Sequence, residues 1–376
     1  MGATAKTNLI GLGRDELERL AAEYCRAPYR GRQLYHALYG RREREIAAIT
    51  DLDREFRGLL ASRYHIVYPS IARVFVSRDG SVRYLLALDD GQTVEAVYMP
   101  TEQGDRDRTT LCISSQVGCA VDCKFCFTGL LGLRRNLTAG EIVGQVLALV
   151  VAQSIPPKAR LSVVFMGQGE PLLNLGPVMK AVGLLASTDG CGIALRRITL
   201  STAGIVPRIH DLARELVRPN LAISLNASNE EQRSALMPIN RKYSLRDLMD
   251  ACRAYPLRPR ERLTFEYVML DGINDSDADA RRVAELLRGM AARVNLIPYN
   301  GGAWLAYRAS PLARVLGFQR ILGERRVPAF IRISRGQDIM AACGQLSLVG
   351  SGSSLDSTPP AVGLGAPPSA GPAAHL

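Results

Sequence analysis

The chain has 376 residues, of which 47% are hydrophobic and 22% are charged, a balance that is ordinary for a globular core and excludes a chain disordered throughout. Its formal net charge is +11, and all but five of its 47 basic residues are arginines, which pair bidentately with phosphate and stack on bases. This charge suits a nucleic-acid partner, although the codon usage of a GC-rich genome explains an arginine excess equally well.

The first residues of the chain and the distribution of its cysteines indicate the cellular compartment of the protein. Residues 1–12 lack the basic-then-apolar order of a signal peptide, and the longest apolar stretch, 142–151, is far shorter than a membrane span. Five of the eight cysteines are scattered, which is not typical of a secreted disulfide framework. We therefore expect a cytoplasmic protein, monomeric and without a membrane partner, whose thiols are reduced.

Residues 1–66 are predicted to form a small helical unit. Acidic residues open a first helix near 15–20, and a second covers 32–39. Apolar residues recur at helical spacing in the second, which favours a packed face over a base-stacking platform. Arginines surround this helix and could contact RNA phosphates or form a solvated face: Arg26, Arg30, Arg32, Arg41, Arg42 and Arg44.

Residues 67–104 change to an alternating pattern and are predicted to form an antiparallel β meander that links two larger parts. Its strands cover 72–76, 82–88 and 93–99, and the turn pairs Asp79-Gly80 and Asp90-Gly91 separate them. Glu95 lies in the third strand. A carboxylate on a half-buried strand usually faces water, so spacing alone gives Glu95 no function.

Residues 105–346 alternate between strands and amphipathic helices. The predicted strands are 110–114, 161–166, 197–201, 221–225, 263–268 and 294–298, with a possible seventh at 329–334. The predicted helices are 138–153, 175–187, 206–216, 245–255, 277–290 and 312–322. Six such units predict an α/β fold with a parallel sheet, an incomplete (βα)6 barrel.

Three cysteines follow the first of these strands in the order C-x3-C-x2-C: Cys119, Cys123 and Cys126. They are one thiolate short of a structural zinc site or a fully ligated iron-sulfur cluster. A [4Fe-4S] cluster on three cysteines keeps one iron open to a small molecule. The spacing resembles that of the radical S-adenosylmethionine (SAM) enzymes, in which the open iron chelates SAM. The alternatives are a zinc site completed by a distant residue and unrelated thiols in a loop.

Polar residues follow the other strands at their carboxyl ends, which surround one active site in barrels of this kind. Together they suit SAM, because a carboxylate can accept a hydrogen bond from its ammonium group and neutral side chains can bind its carboxylate, ribose and adenine. A glycine beside the carboxylate lets the backbone approach the ligand. The candidates are Gly169, Glu170, Ser201, Ser224, Leu225, Asn226 and Asn300.

Beyond residue 346 the chain consists largely of small residues and prolines, and residues 347–376 are predicted to be a disordered tail. Just before it stands Cys343, between small residues and Gly344. From spacing alone, Cys343 could equally be a small buried hydrophobic residue.

Several longer motifs resemble the RlmN/Cfr family of radical SAM methyltransferases, which methylate adenosine in large-subunit ribosomal RNA and, for RlmN, in transfer RNA. The similarity covers most of residues 14–346. Its motifs are YRGRQLY at 29–35, VEAVYMP at 94–100, SSQVGC at 114–119, GEPLLN at 169–174, MPIN at 237–240, EYVML at 266–270 and ACGQL at 342–346.

The resemblance implies a mechanism that uses two SAM molecules. Cys343 would take a methyl group from the first, and a radical made from the second at the cluster would abstract hydrogen from that S-methyl group. The methylene radical would then add to an adenine carbon. By the same resemblance Glu95 would accept a proton, and Cys112 would help to resolve the protein–RNA adduct.

Two departures from the family are visible. Asn226 stands where the family usually has histidine, and an asparagine can still hydrogen-bond ribose hydroxyls. The segment 301–308 lacks the family's proline-rich run. We therefore expect a radical SAM enzyme that methylates C2 of adenosine in 23S ribosomal RNA, with tRNA as a second candidate substrate and an electron donor such as flavodoxin. The alternatives are C8 methylation, another substrate, and an RNA-binding protein with a structural metal centre.

Overall fold

The computed structural model describes residues 6–101, 108–157, 159–301, 305–341 and 344–345. The N-terminal unit contains β1 (Thr7–Asn8), α1 (Arg14–Glu23), α2 (Pro28–Tyr35), a π-helical turn (His36–Arg41), a 3-10 turn (Ile46–Ala48), α3 (Arg54–Arg63) and β2 (Tyr64–His65). The side-chain carboxylate of Glu16 accepts a hydrogen bond from the Gly13 N–H at 2.6 Å and so caps α1. Asp53 is the N-cap residue of α3, and its carboxylate accepts from the Phe56 N–H at 2.8 Å.

The apolar face predicted for the second helix is buried. Leu34, Leu38 and Tyr39 are fully inaccessible and belong to the same hydrophobic core as the first barrel helices. The main chain of the unit lies directly on the barrel, since a side chain at Gly140 would collide with the carbonyl oxygen of Ile10. The prediction of a packed face is confirmed.

The rest of the chain adds β3 (Ser70–Val76), β4 (Val82–Ala87), β5 (Thr93–Thr101), β6 (Arg108–Cys112), β7 (Gln116–Gly118), α4 (Phe127–Leu130), β8 (Leu133–Asn136), α5 (Ala139–Ala152), β9 (Arg160–Phe165), α6 (Leu175–Ala186), β10 (Ile198–Thr202), α7 (Val206–Arg214), β11 (Asn220–Ser224), α8 (Glu230–Leu236), α9 (Leu245–Ala254), β12 (Leu263–Met269), α10 (Asp277–Leu286), β13 (Ala292–Pro298), α11 (Leu312–Glu324) and β14 (Ala329–Ile331). Serine or threonine side chains cap α5, α9 and α10 in capping boxes.

Ten of the described strands form one sheet in the order β14-β13-β12-β11-β10-β9-β6-β5-β4-β3. The pairs from β6 to β14 are parallel, whereas β3 to β6 pair antiparallel. Because β3 and β14 stand at opposite ends of this order, the barrel is open, as the six repeating units predict. The meander expected as a linker is continuous with the barrel sheet through β5 and β6.

In the described residues, no helix has the length and apolar character needed to cross a bilayer. The predicted tail at 347–376 lies outside the described residues, and the domain boundaries drawn from the sequence stay a prediction.

Candidate active site

The carboxyl ends of the parallel strands open into a cavity with an empty volume of about 960 Å³. Most of the polar residues predicted from the sequence line it, because successive parallel strands deliver their following loops to the same rim. These are Cys119, Cys123, Cys126, Gly169, Glu170, Ser201, Ser224, Asn226 and Asn300.

The cysteine loop, residues 119–126, is held by main-chain hydrogen bonds to three other segments. The Cys119 N–H donates to the Gly132 carbonyl at 3.1 Å, beside the hairpin of β7 and β8. The Lys124 N–H donates to the carbonyl of Leu236 at 2.9 Å, and the Phe127 N–H to that of Gly344 at 2.8 Å. The loop is therefore fixed from several sides before any ligand binds.

The thiols of this loop suit a cationic metal centre. Burial raises the pKa of Cys119 to about 12, against backbone N–H donors from Val121 and Ala120 that lower it. Burial also raises the pKa of Cys123, and the neighbouring thiols Cys126 and Cys119 raise it further. Metal binding deprotonates such thiols, because the charge of the metal offsets both burial and mutual repulsion.

The donor set and the cavity thus fit a three-cysteine cluster with one iron facing the cavity. Among the described residues, no three histidine, cysteine, aspartate or glutamate side chains converge as they would around a single metal ion.

Glu170 is a buried carboxylate that joins two strand ends. Its Oε1 accepts from the Leu172 N–H at 3.0 Å and its Oε2 from the Ala203 N–H at 2.7 Å. Burial raises its pKa to about 7, although these N–H donors lower it. Gly169, at φ +97°, brings the chain close to Gln116, where a Cβ would lie 2.6 Å from the Gln116 Cβ. Gly169 and Glu170 are therefore fixed in place, and both line the cavity.

Asn226 also lines the cavity, but its side chain is engaged within the protein. Oδ1 accepts from the Val268 N–H at 2.9 Å, and Nδ2 contacts the Met237 sulfur at 3.4 Å. The residue lies in the left-handed region, at φ 54°, which asparagine tolerates better than most residues. Its contact with ribose stays a prediction.

Two further candidates differ in their placement. Asn300 lines the cavity and donates from Nδ2 to the Ser334 hydroxyl at 2.6 Å. Leu225 does not line it: its side chain lies in the main core, because neighbouring strand residues face opposite sides of a sheet. The cofactor contact predicted for Leu225 is therefore not one that its side chain makes.

Glu266 of β12 lines the same cavity and was not identified from the sequence. Its Oε1 accepts from Asn295 Nδ2 at 2.8 Å, and burial raises its pKa. It falls inside the family-like motif EYVML, where a carboxylate in the middle of an otherwise apolar strand is the signal that could have found it.

Glu95 and Cys112 lie on the wall of the barrel beside the cavity. They face the same side of neighbouring strands, since Val97, two residues after Glu95, pairs with Cys112. Cys112 packs with Val97 and Ala341, and Met166 joins this cluster to the cavity lining. We call this region the Glu95–Cys112 wall.

Glu95 has a buried partner that the sequence did not reveal. The Arg83 Nη1 lies 2.9 Å from Glu95 Oε1, and both side chains are almost inaccessible, at 4% and 1% exposed. The Arg83 guanidinium also lies 4.2 Å from the centre of the Phe75 ring. Glu95 therefore sits inside the protein with a guanidinium beside it, rather than on a wet face.

Cys343 lies outside the described residues. The described residues nearest to it along the chain are Ala341, which packs against Cys112, and Gly344, whose carbonyl accepts from the Phe127 N–H. The segment that leads to it is fastened to the meander, because the Asp338 carboxylate accepts from the Ser77 hydroxyl at 2.6 Å and the Gly336 N–H donates to Asp79 at 2.8 Å.

Comparison with known proteins places these observations in a family. Residues 113–284 match the radical SAM superfamily. The chain is 52% identical over 331 residues to a protein of Koribacter versatilis named probable dual-specificity RNA methyltransferase RlmN, with 85% of this chain and 95% of that protein covered. It is 46% identical to the dual-specificity RNA methyltransferase RlmN of an Anaeromyxobacter species, with 92% of each covered.

A solved structure is similar over nearly its whole length. It is a radical SAM methyltransferase from Sphaerobacter thermophilus, 43% identical, with a TM-score of 0.84 over 90% of this chain and 98% of that one.

Proposed function

Because the chain belongs to the RlmN family of radical SAM RNA methyltransferases, we propose that it methylates C2 of an adenosine in 23S ribosomal RNA and in tRNA. The observation that best supports this proposal is that two groups of predicted site residues lie next to each other in one barrel. The three cysteines and the candidate SAM residues line the cavity, and the Glu95–Cys112 wall adjoins it. The relatives named above are dual-specificity RNA methyltransferases, which supports an RNA substrate.

The cluster, when bound, supplies one electron that cleaves the sulfonium of SAM. In the proposed function Glu170 faces the ammonium group of SAM, and Ser201, Ser224 and Asn300 face its neutral polar groups. An adenine C2 is not nucleophilic enough to attack a sulfonium, so the methyl group needs a carrier within the protein.

Cys343 is that carrier in our proposal. Its thiolate attacks the methyl carbon of one SAM, so that the bond from the sulfonium to this carbon breaks and S-adenosylhomocysteine leaves. The radical from the second SAM takes a hydrogen atom from the S-methyl group, and the resulting methylene radical forms the new carbon–carbon bond to the base. Glu95 accepts the proton lost from the adenine carbon, and the electron left by the radical addition would return to the oxidised cluster. The Cys112 thiolate then attacks the sulfur of Cys343: a disulfide forms, the bond from that sulfur to the methylene carbon breaks, and this carbon takes a proton to become the methyl group. A cellular dithiol reductant returns the disulfide to two thiols. An electron donor of the flavodoxin class reduces the cluster, in the cytoplasm.

The test uses RNA from cells that lack their own RlmN, with and without this chain. We expect 2-methyladenosine in digests of both 23S ribosomal RNA and tRNA, identified by mass spectrometry against authentic standards. Detection of 8-methyladenosine instead would support methylation at C8 and contradict methylation at C2. No modified adenosine, from protein that holds iron and cleaves SAM, would point to another substrate.

A further inference from the structure

Arg233 of α8 is a fully buried cation that the proposed reaction does not use. One percent of the residue is exposed, and its guanidinium lies between the ends of two barrel strands. Nη2 donates to the Ala203 carbonyl at 2.7 Å and to the Ser224 carbonyl at 3.1 Å, while Nη1 contacts Asn240 Oδ1 at 3.4 Å. It therefore fastens the loops after β10 and β11, where Ser224 faces the cavity.

All three of these acceptors are neutral. Among the described residues, Nε has no hydrogen-bond partner, and no carboxylate lies within ion-pair distance of the guanidinium. Glu230 is near enough for its charge to act on Arg233, but its carboxylate accepts from the Leu245 and Arg246 N–H groups at the start of α9. Asn240 also donates to this carboxylate, at 2.8 Å, so Glu230 offsets the guanidinium charge only from a distance. A buried guanidinium without a direct ion pair is costly, so a second anion beside it would be stabilising.

The cysteine loop packs against the segment that carries Arg233. Leu236, one turn after Arg233, accepts from the Lys124 N–H, and both Leu236 and Met237 belong to the apolar cluster against which all three cysteines pack. Ala203, a hydrogen-bond partner of Arg233, belongs to the same apolar cluster.

We propose that Arg233 is the counter-charge of the iron-sulfur cluster and a positioning residue that raises the cluster's reduction potential. The inference rests on the proposed function, because it requires the cluster. Reduction adds one negative charge to a cluster that already carries three thiolates. A nearby buried cation stabilises the reduced form more than the oxidised form, since both charges act through a medium of low dielectric constant. In this proposal the motif MPIN, which follows α8, is part of the protein surface that packs behind the cluster.

The test is a potentiometric titration of anaerobically reconstituted protein, followed by electron paramagnetic resonance of the reduced cluster. Arg233→Met and Arg233→Gln remove the charge, Arg233→Lys keeps it, and Arg253→Met removes the same charge from the exposed surface of α9. In the two neutral variants the ratio of reduced to oxidised cluster at a fixed potential should fall at least tenfold, equivalent to about 59 mV for one electron. Arg233→Lys and Arg253→Met should stay close to the unchanged protein.

Iron content is measured first, so that two failures can be told apart. Unchanged protein without iron would contradict the proposed function itself. Neutral variants that hold the cluster at an unchanged potential would overturn the role of Arg233 alone. If the neutral variants fold but load no iron while Arg233→Lys loads it, the counter-charge is supported. If Arg233→Lys also loses iron, the residue serves the fold and the inference fails.

Discussion

The cysteine loop and the Glu95–Cys112 wall face the same barrel but are held by different forces. The loop and Phe127 directly after it donate main-chain hydrogen bonds to the nearby Gly132 and, from distant parts of the chain, to Leu236 and Gly344. The wall is held by the register of β5 on β6 and by the buried pair of Arg83 and Glu95. We therefore expect loss of a cysteine ligand to remove the iron-sulfur cluster from the loop. Loss of one charge of the buried pair should instead lower the stability of the wall.

The largest expected effect is at the cysteine loop. Alanine at Cys119, Cys123 or Cys126 should abolish both iron binding and SAM cleavage, because two thiolates do not hold the cluster. Unchanged protein should contain about four irons per chain. Cys191→Ala is a matched control, since burial raises the pKa of that thiol to about 12 but Cys191 packs against the main core away from the cavity. Iron analysis and chromatography of 5′-deoxyadenosine provide the measurements; full iron in a single variant would refute the assignment.

The second prediction separates the two regions chemically. Cys343→Ala should abolish RNA methylation while leaving iron content and SAM cleavage in place, because the carrier is lost but the cluster is not. Cys112→Ala should leave enzyme covalently attached to RNA, which a gel under denaturing conditions would detect. Cys252→Ala, at another buried thiol, is the control. Methylated adenosine from Cys343→Ala would contradict the carrier mechanism.

The third prediction concerns the buried pair of the wall. Arg83→Met deprives the Glu95 carboxylate of its guanidinium and should lower the free energy of unfolding by about 3 kcal/mol. The double variant Arg83→Met/Glu95→Gln should recover part of that loss, because no buried charge remains. Urea unfolding of the unchanged protein, Arg83→Met, Glu95→Gln and the double variant measures the coupling. Additive losses in the double variant would mean that the pair contributes no interaction energy.

The fourth prediction is a pH dependence at Glu170. Burial raises its pKa from 4.5 to about 7, so the folded protein binds more protons than the unfolded chain between these values. Its contribution to stability is complete below pH 4.5 and is lost as the pH rises through 7. Glu170→Gln should flatten the stability profile between pH 5 and 8, and Glu285→Gln, on the exposed side of α10, should not. SAM should also flatten it, because its ammonium favours the carboxylate. A profile unchanged by Glu170→Gln would contradict the prediction.

The smallest effect is expected in the N-terminal unit. The sequence leaves open whether its arginines contact RNA phosphates or form a solvated face, and the structure pairs several of them within the protein, for example Arg41 with Asp51 and Arg26 with Glu55. Exposed pairs of this kind contribute about 0–1 kcal/mol. A full phosphate contact contributes about 0.9 to the slope of the logarithm of the binding constant against the logarithm of the salt concentration. Neutralising Arg26 and Arg41 should lower the steepness of this slope for RNA binding by less than that amount for each arginine. Arg214→Gln on α7 is the control, and an unchanged slope would assign these arginines to structure.

The barrel could be predicted from the sequence because its signals are local. Strand and helix alternate with distinct periods, and parallel order follows from that alternation. The predicted strands also define the rim at which their following loops lie. For this reason Glu170, Ser201 and Asn300 could be predicted to lie at one site. The family-like motifs added roles that spacing could not assign, as at Glu95.

Long-range partners could not be predicted in this way. Arg83 and Arg233 are two among 42 arginines, and nothing local distinguishes a buried guanidinium from an exposed one. The hairpin of β7 and β8 was also missed, because its strands have three and four residues and are too short to show alternation. Leu225 was grouped with its polar neighbours although strand geometry turns it into the core.

The joining of the meander to the barrel sheet fixes a distance between functional groups. Glu95 and Cys112 belong to neighbouring strands, and the hydrogen bonds from Val97 to Thr101 against Cys112 to Arg108 set their relative position. That position does not depend on how many residues connect Thr101 with Arg108. We therefore expect that residues inserted in this connection, as a label or an affinity tag, leave the spacing between Glu95 and Cys112 unchanged.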